Sequence, residues 1–179
     1  MRTPRAPSHG ERGITFPEIL IVVFLMFVLA IVAVNGSLSW LNAEEVRSAV
    51  YQTQTLLQLA RVESVTRNRE CAFVINTATG RIQVRDLGGT VSPADDITLA
   101  DVGISSKVSF ASPDGNPPMT LTDLTAGRWG AVFASDGSVS SGAGVITMRG
   151  KERYNRIALY AAGGSRVERW DSSAWRAGS

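Results

Sequence analysis

The chain has 179 residues, 44% of them hydrophobic, with 18 basic and 16 acidic side chains for a formal net charge of +2; its one long apolar run stands at the start, so the length suits one membrane or filament helix followed by one globular domain of roughly 110 residues. A charge this near balance names no partner. The single cysteine, Cys71, excludes an intrachain disulfide, and the single histidine, His9, stands so early that the body of the chain holds no Ser-His-Asp or Cys-His nucleophile system and no His-ligated metal site.

Residues 1–13 form a short basic leader in which Arg2, Arg5 and Arg12 stand against Glu11. No residue from 19 to 43 is charged, and as a helix that run is about 37 Å long, more than the roughly 30 Å hydrocarbon core of a bilayer. It can span a membrane, and the arginines just before it favour a cytoplasmic start with everything beyond exported. Glu18 opens the run. A carboxylate in a span costs about 2.5 kcal/mol or more at the bilayer centre and less near the interface, so Glu18 argues for a cationic partner.

The stretch Arg12-Gly13-Ile14-Thr15-Phe16-Pro17-Glu18-Ile19-Leu20-Ile21-Val22-Val23 resembles the leader junction of type IV prepilins and type II secretion pseudopilins. The resemblance implies a cut by prepilin peptidase between Gly13 and Ile14, methylation of the new amino terminus on Ile14, and an assembly role for Phe16, Pro17 and Glu18. In that family the acidic fifth residue of the processed chain pairs with the terminal amine of a neighbouring subunit. Two opposite charges about 4 Å apart attract by about 4 kcal/mol at an effective dielectric of 20, before desolvation is subtracted. Pro17 falls in the first helical turn, where a missing N–H is tolerated. Without the leader's three arginines and one glutamate, basic and acidic side chains balance.

Two other readings compete at this end. A secretory signal peptide also has a basic start and an apolar core, and Val34-Asn35-Gly36 is an acceptable cut site; but such a core is usually about 7–15 residues and carries no acid. An ordinary membrane anchor accounts for the apolar length and not for Gly13 and Glu18 at this spacing.

Beyond the run, Val46, Ala49, Val50, Thr53, Leu56, Leu57, Ala60 and Ser64 fall on one stripe at helical spacing, with Arg47, Ser48, Thr55, Gln58 and Arg69 opposite. The pattern predicts an amphipathic helix packed on a domain. Arg61, Arg67 and Arg69 gather towards its end, where cations complement the carbonyl terminus. Asn35-Gly36 is the expected place for a bend or local unwinding, since an interior glycine costs about 1 kcal/mol.

From Cys71 the period changes to that of strands. Residues 71–76 and 81–86 flank Thr77-Ala78-Thr79-Gly80 as a hairpin, and further strands are expected at 107–111, 130–134, 145–149, 156–161 and 165–170, with Ala162-Gly163-Gly164 as the last turn. Residues 86–101 and 112–118 read as loops. Cys71 heads an apolar strand as a small core residue. Asp95, Asp96 and Asp101 read as an exposed acidic loop rather than a carboxylate metal site, and Gly150-Lys151 as a turn rather than a phosphate loop. No catalytic residue, cofactor or metal is expected.

The segment Leu57-x-x-Ala60-Arg61-x-x-Ser64-x-x-Arg67 and the closing pieces Gly130-Ala131-Val132-Phe133-Ala134-Ser135-Asp136-Gly137, Gly144-Val145-Ile146-Thr147-Met148, Arg156-Ile157-Ala158-Leu159 and Gly164-Ser165-Arg166-Val167 resemble the GspH/FimT group of minor pseudopilins and minor pilins. The implied fold is α+β and type IV pilin-like: a long N-terminal helix, transmembrane at 14–43 and amphipathic at 44–70, packed on a mostly antiparallel β domain at 71–179. The implied function is structural, without catalysis. The subunit would sit in the inner membrane as a single-pass protein, cytoplasmic at its start and periplasmic beyond. From lipid it would pass, through the inner-membrane assembly platform, into a pilus or pseudopilus beside other pilins, near the tip. Type II secretion and type IV pilus machines share this plan, so the sequence leaves both open.

A second reading concerns the carboxy-terminal end. From Arg149 onward seven basic residues stand against three acidic ones, whereas residues 86–136 hold seven acids and two bases. Some minor pilins of this group bind DNA through a Gly-Arg-x-Arg tail, and Gly164-Ser165-Arg166-Val167-Glu168-Arg169-Trp170 is similar with a serine after the glycine and with Glu168, which would repel phosphate. Arg166, Arg169, Trp170, Trp175 and Arg176 are the candidates, combining backbone charge with base stacking on single strands. Arg and Trp on a terminal strand also serve simply to cover a core edge.

Overall fold

The computed structural model describes residues 16–88, 96–125, 128–151 and 153–177, with the backbone alone at 32–43. Helix α1 (Phe16–Arg67) is helical throughout, Asn35-Gly36 included, so the local unwinding expected there is absent from the backbone; one glycine among 52 residues is a small penalty for a helix of that length. The chain divides into two compact units, Met1–Ser39 and Trp40–Ser179. In the first, every position from 16 to 31 is exposed, large apolar side chains included. Among the described residues no helix is long and apolar enough to cross a membrane. The described part of the apolar run stops at Ile31, short of the roughly 20 residues a span needs, and the side chains of the remainder of the expected span, 14–15 and 32–43, lie outside the described residues.

In the second unit all eight stripe residues, from Val46 to Ser64, are buried, while Arg47, Ser48, Thr55 and Gln58 are exposed. Two of the eight are polar. Thr53 and Ser64 turn their hydroxyls back on the helix, donating to the carbonyls of Ala49 at 2.8 Å and Arg61 at 2.8 Å, so neither buries an unpaired group. The helix ends because Asn68 adopts a left-handed conformation, φ 52°. Its N–H then reaches the carbonyl of Val65 while that of Arg69 reaches Ser64, the paired bonds of a Schellman stop. Arg69, expected on the helix, lies just past it for this reason.

The strands are β1 (Cys71–Asn76), β2 (Arg81–Asp86), β3 (Ile97–Gly103), β4 (Ser109–Phe110), β5 (Thr122–Thr125), β6 (Arg128–Phe133), β7 (Val139–Ser141), β8 (Gly144–Arg149), β9 (Tyr154–Leu159), β10 (Ser165–Trp170) and β11 (Trp175–Ala177). They form two antiparallel sheets, one in the order β3-β2-β1-β6-β5 with β7 also paired to β6, the other β11-β10-β9-β8-β4. Phe73, Ile75, Ile82, Val84 and Phe133 from the first sheet and Ile146, Met148, Ile157 and Leu159 from the second join the α1 stripe in one core. Each fully buried aliphatic or aromatic side chain contributes about 1.5–3 kcal/mol. Cys71 is closed off from solvent at the head of β1. Burial pushes its thiol up to about 11, which leaves it unreactive at neutral pH.

The stretch expected as loop at 86–101 holds most of β3, and the sequence pattern does not predict β5, β7 or β11 either. β3 is an edge strand, half exposed along its length, and so lacks the clean alternation that marks a strand in sequence. Asp96 and Asp101 accordingly do not form an exposed acidic loop: Asp96 pairs with Arg85 at 3.1 Å with its side chain 10% exposed, and Asp101 lies in β3 and accepts from Arg81 at 2.9 Å. Asp95 lies outside the described residues. Gly150-Lys151 is the β8–β9 turn, closed by the Gly150 N–H on the Arg153 carbonyl at 2.9 Å.

Candidate functional site

At the amino-terminal end, Gly13 and Ile14 lie outside the described residues. Phe16, Pro17 and Glu18 form the opening of α1, and all three are exposed. Pro17 occupies a position where no intrahelical donor is lost, and Glu18 places a negative charge by the positive end of the helix dipole, a favourable arrangement of about 0.3–1 kcal/mol. No described residue forms an ion pair with Glu18. From Phe16 onward the helix presents Ile19, Leu20, Ile21, Val22, Val23 and Phe24 in succession, none less than 48% exposed. A helix apolar on all sides has no single face to bury and requires cover all round.

At the carboxy-terminal end, the five expected residues gather on β10 and β11 but divide between two faces. Pairing sets Trp170 opposite Trp175 and Arg169 opposite Arg176, and successive strand residues point to opposite sides, so Arg166 and Trp170 share one face with Trp175 while Arg169 and Arg176 share the other. The indoles of Trp170 and Trp175 meet edge to face, centroids 5.2 Å apart, and the Trp175 N–H donates to Asp114 at 3.3 Å. Arg176 is paired with Asp171. Arg166 approaches Glu168 at 3.9 Å, and Arg169 is exposed with no ion pair among the described residues.

Arg156 is the residue that sequence reading passes over. It lies across from Glu168, to which its Nε donates at 2.6 Å, and its guanidinium stacks over the Trp175 ring at 4.5 Å. Glu168, expected to repel phosphate, is therefore already neutralised from within the sheet. The signal for this is the β9–β10 register, a non-local property that opens only once the turn at Gly163 fixes which residues face each other. Two carboxylates organise the end. Asp171 accepts from the backbone N–H groups of Ala174 and Ser173 and from the Ser173 hydroxyl, which, with Arg176 beside it, holds it below the usual carboxylate range. Asp114 is held low chiefly by the Ser112 hydroxyl, with Asn116 and Trp175 adding to it.

Arginine, carboxylate and indole at this end thus form an interlocked surface rather than a row of free cations. Among the described residues no group of histidine, cysteine and carboxylate side chains is placed to hold a metal.

By structure the chain is similar to the type IV minor pilin FimU of Pseudomonas aeruginosa, at 14% identity over 75% of this chain and 94% of that one with a TM-score of 0.49. It is also similar to the minor pseudopilin EpsH from the type 2 secretion system of Vibrio cholerae, at 15% identity over 69% and 95% with a TM-score of 0.47. No curated protein matches by sequence. Residues 49–163 match the model of the type II transport protein GspH, a stretch that begins in the amphipathic part of α1 and ends at the β9–β10 turn, before β10 and β11. Because that match covers more than half of the sequence, the chain belongs to the GspH family.

Proposed function

We propose that this chain is a minor subunit of a type II secretion pseudopilus or type IV pilus, cut between Gly13 and Ile14, methylated on Ile14, and held in the inner membrane by residues 14–43 until it is drawn into the filament near its tip. The single observation that carries the reading is the helix from residue 16, exposed at every position to 31 and, after Glu18, apolar at every position from 19 to 31. Lipid covers such a surface before assembly, and neighbouring helices of the same kind cover it afterwards. Membership of the GspH family supports the same reading. Assembly exchanges one dry environment for another, so the apolar face drives neither choice nor stagger, and the pairing of Glu18 with the Ile14 amine of the next subunit fixes the register. Prepilin peptidase, the assembly platform and the other pilins are the partners this implies, and no reaction is catalysed.

The test is Glu18→Ala in cells: membrane insertion stays intact and incorporation into filaments falls. Normal amounts of the variant in purified filaments contradict the pairing, and mass spectrometry showing Met1 retained, or trimming beyond Val34, contradicts the processing.

A second reading, DNA binding at the basic end, draws support from exposed Arg169 and from the Trp170–Trp175 pair on the other face of the same two strands. A gel-shift assay with single-stranded DNA tests it. Binding that weakens with salt and with Arg169→Ala is expected; salt-independent or absent binding removes it.

A further inference from the structure

An open cleft of about 420 Å³ lies beside α1, lined by Glu45, Lys107, Arg149, Gly150 and Lys151. Lys107 comes from the turn before β4, Arg149 ends β8, and Lys151 lies in the turn that follows, so two separate pieces of chain bring three cations to one helix residue. Lys107 Nζ donates to Glu45 Oε1 at 2.7 Å, and Glu45 Oε2 is closed off from solvent. The single carboxylate is thereby neutralised on one oxygen and hidden on the other, and the mouth presents positive charge. Neither Arg149 nor Lys151 has an ion pair among the described residues. The Arg149 guanidinium rests over the Tyr154 ring at 5.5 Å, which uses its face and leaves its in-plane N–H donors for an anion. Arg149 and Lys151 together offer the planar fork and the point charge that suit a phosphate.

Position along the chain identifies the source of that phosphate. Glu45 is two residues past the end of the uncharged run at Ala43, about 3 Å further along a helix axis. A run of about 37 Å exceeds the roughly 30 Å hydrocarbon core and ends in the head-group layer, which adds about 5–7 Å on each side. The anions at that depth are lipid phosphates. We infer that the Lys107–Arg149–Lys151 cleft binds the phosphate of anionic phospholipid head groups at the membrane surface and seats the subunit there before extraction. The inference rests on reading 14–43 as a membrane span.

The test uses the full chain. In detergent micelles, native mass spectrometry follows titration with phosphatidylglycerol, phosphatidylcholine or inorganic phosphate, while flotation with vesicles checks the span. Phosphatidylglycerol is expected to bind in preference to phosphatidylcholine, and Arg149→Gln/Lys151→Gln to weaken it by about 25-fold, five-fold for each cation at about 1 kcal/mol apiece. The control Arg69→Gln/Arg128→Gln, an equal change of charge elsewhere, leaves the affinity unchanged. Equal weakening by both pairs, no preference between the lipids, or inorganic phosphate binding as tightly as phosphatidylglycerol overturns the head-group site. A chain that floats with vesicles and shows no effect of Arg149 and Lys151 removes the site alone, whereas a chain that does not float removes the span and the site together.

Discussion

Arg67, the last residue of α1, donates from Nη1 to Oδ2 of Asp86 at 3.1 Å, joining the helix terminus to the end of β2 across 19 residues of sequence. Asp86 is 2% exposed and also accepts from the Gly88 N–H at 3.0 Å, while Arg67 keeps a second carboxylate, Glu63, at 2.6 Å. The bridge turns a helix end and a hairpin end into one joint. It sits where the left-handed Asn68 stops the helix, so the chain reversal and the ion pair support each other.

Loss of either partner therefore unfolds the globular unit more readily. Asp86→Ala is expected to cost about 1–3 kcal/mol, since it removes the acceptor for both Arg67 and the Gly88 amide, and Arg67→Ala somewhat less, because Arg67 is partly solvated and its pairing is screened. The double variant costs less than the sum, because both changes break one bond. Thermal unfolding of the full chain in detergent, run as a double-mutant cycle, measures this; strict additivity would show that the bridge carries no energy of its own.

The buried stripe of α1 makes a sharper contrast between adjacent residues. Leu57 is 2% exposed in the core and Gln58 is exposed beside it. Leu57→Ala is expected to destabilise by about 2–5 kcal/mol through lost burial and the cavity left behind, and Gln58→Ala to stay within about 0.5 kcal/mol. The same thermal measurement decides, and equal effects at the two positions would mean that this half of the helix is not seated on the sheets.

That stripe is fully legible in the sequence, because helical spacing over eight residues is a local, repeated signal, and so are β1, β2 and β10, whose bounds fall where the apolar alternation and the flanking turns place them. β3, β5, β7 and β11 are not. Ile97 and Thr98 are exposed where an interior strand would alternate, β7 has three residues, and Trp175 is recognisable as strand only through its pairing with Trp170. At the basic end the residue types are legible and their roles are not. Arg156, Glu168 and Trp175 lie far enough apart in sequence that only register brings guanidinium, carboxylate and indole together. The Glu45 cleft escapes the sequence for the same reason, being assembled from residues 45, 107 and 149–151.

Gly163 shows how closely the turns are packed. Its φ is +80°, and a Cβ there would collide with the carbonyl oxygen of Gly137 and press on Nε of Arg61 at 3.0 Å. The β9–β10 turn thus rests backbone to backbone on the β6–β7 turn, with α1 behind both. Gly163→Ala combines left-handed strain of about 1 kcal/mol with displacement of a backbone that has nowhere to move, whereas Gly164→Ala meets nothing within 4 Å and is expected to be tolerated. Melting temperatures of the two variants test the contrast; a tolerated Gly163→Ala would show that the turns separate freely.

Acid is expected to loosen the carboxy-terminal end before the core. Asp171 and Asp114 are held below the usual carboxylate range by hydrogen bonds that require the ionised form, and they anchor the β10–β11 turn and the Trp175 indole respectively. A carboxylate whose folded pKa is depressed contributes stability above its unfolded value, about 3.9 for aspartate, and loses that contribution as pH falls from there through the folded value. The affected window therefore lies below about pH 4. Tryptophan fluorescence during acid titration is expected to change while the far-ultraviolet signal of α1 holds, and the change attributable to the end should disappear in Trp175→Phe. Asp171→Asn should produce part of the same loosening at neutral pH, because the amide oxygen still accepts from Ala174 but no longer carries the charge that holds Arg176. A single transition in which helix signal and fluorescence fall together would show that β11 is locked to the core and that these two carboxylates do not govern it.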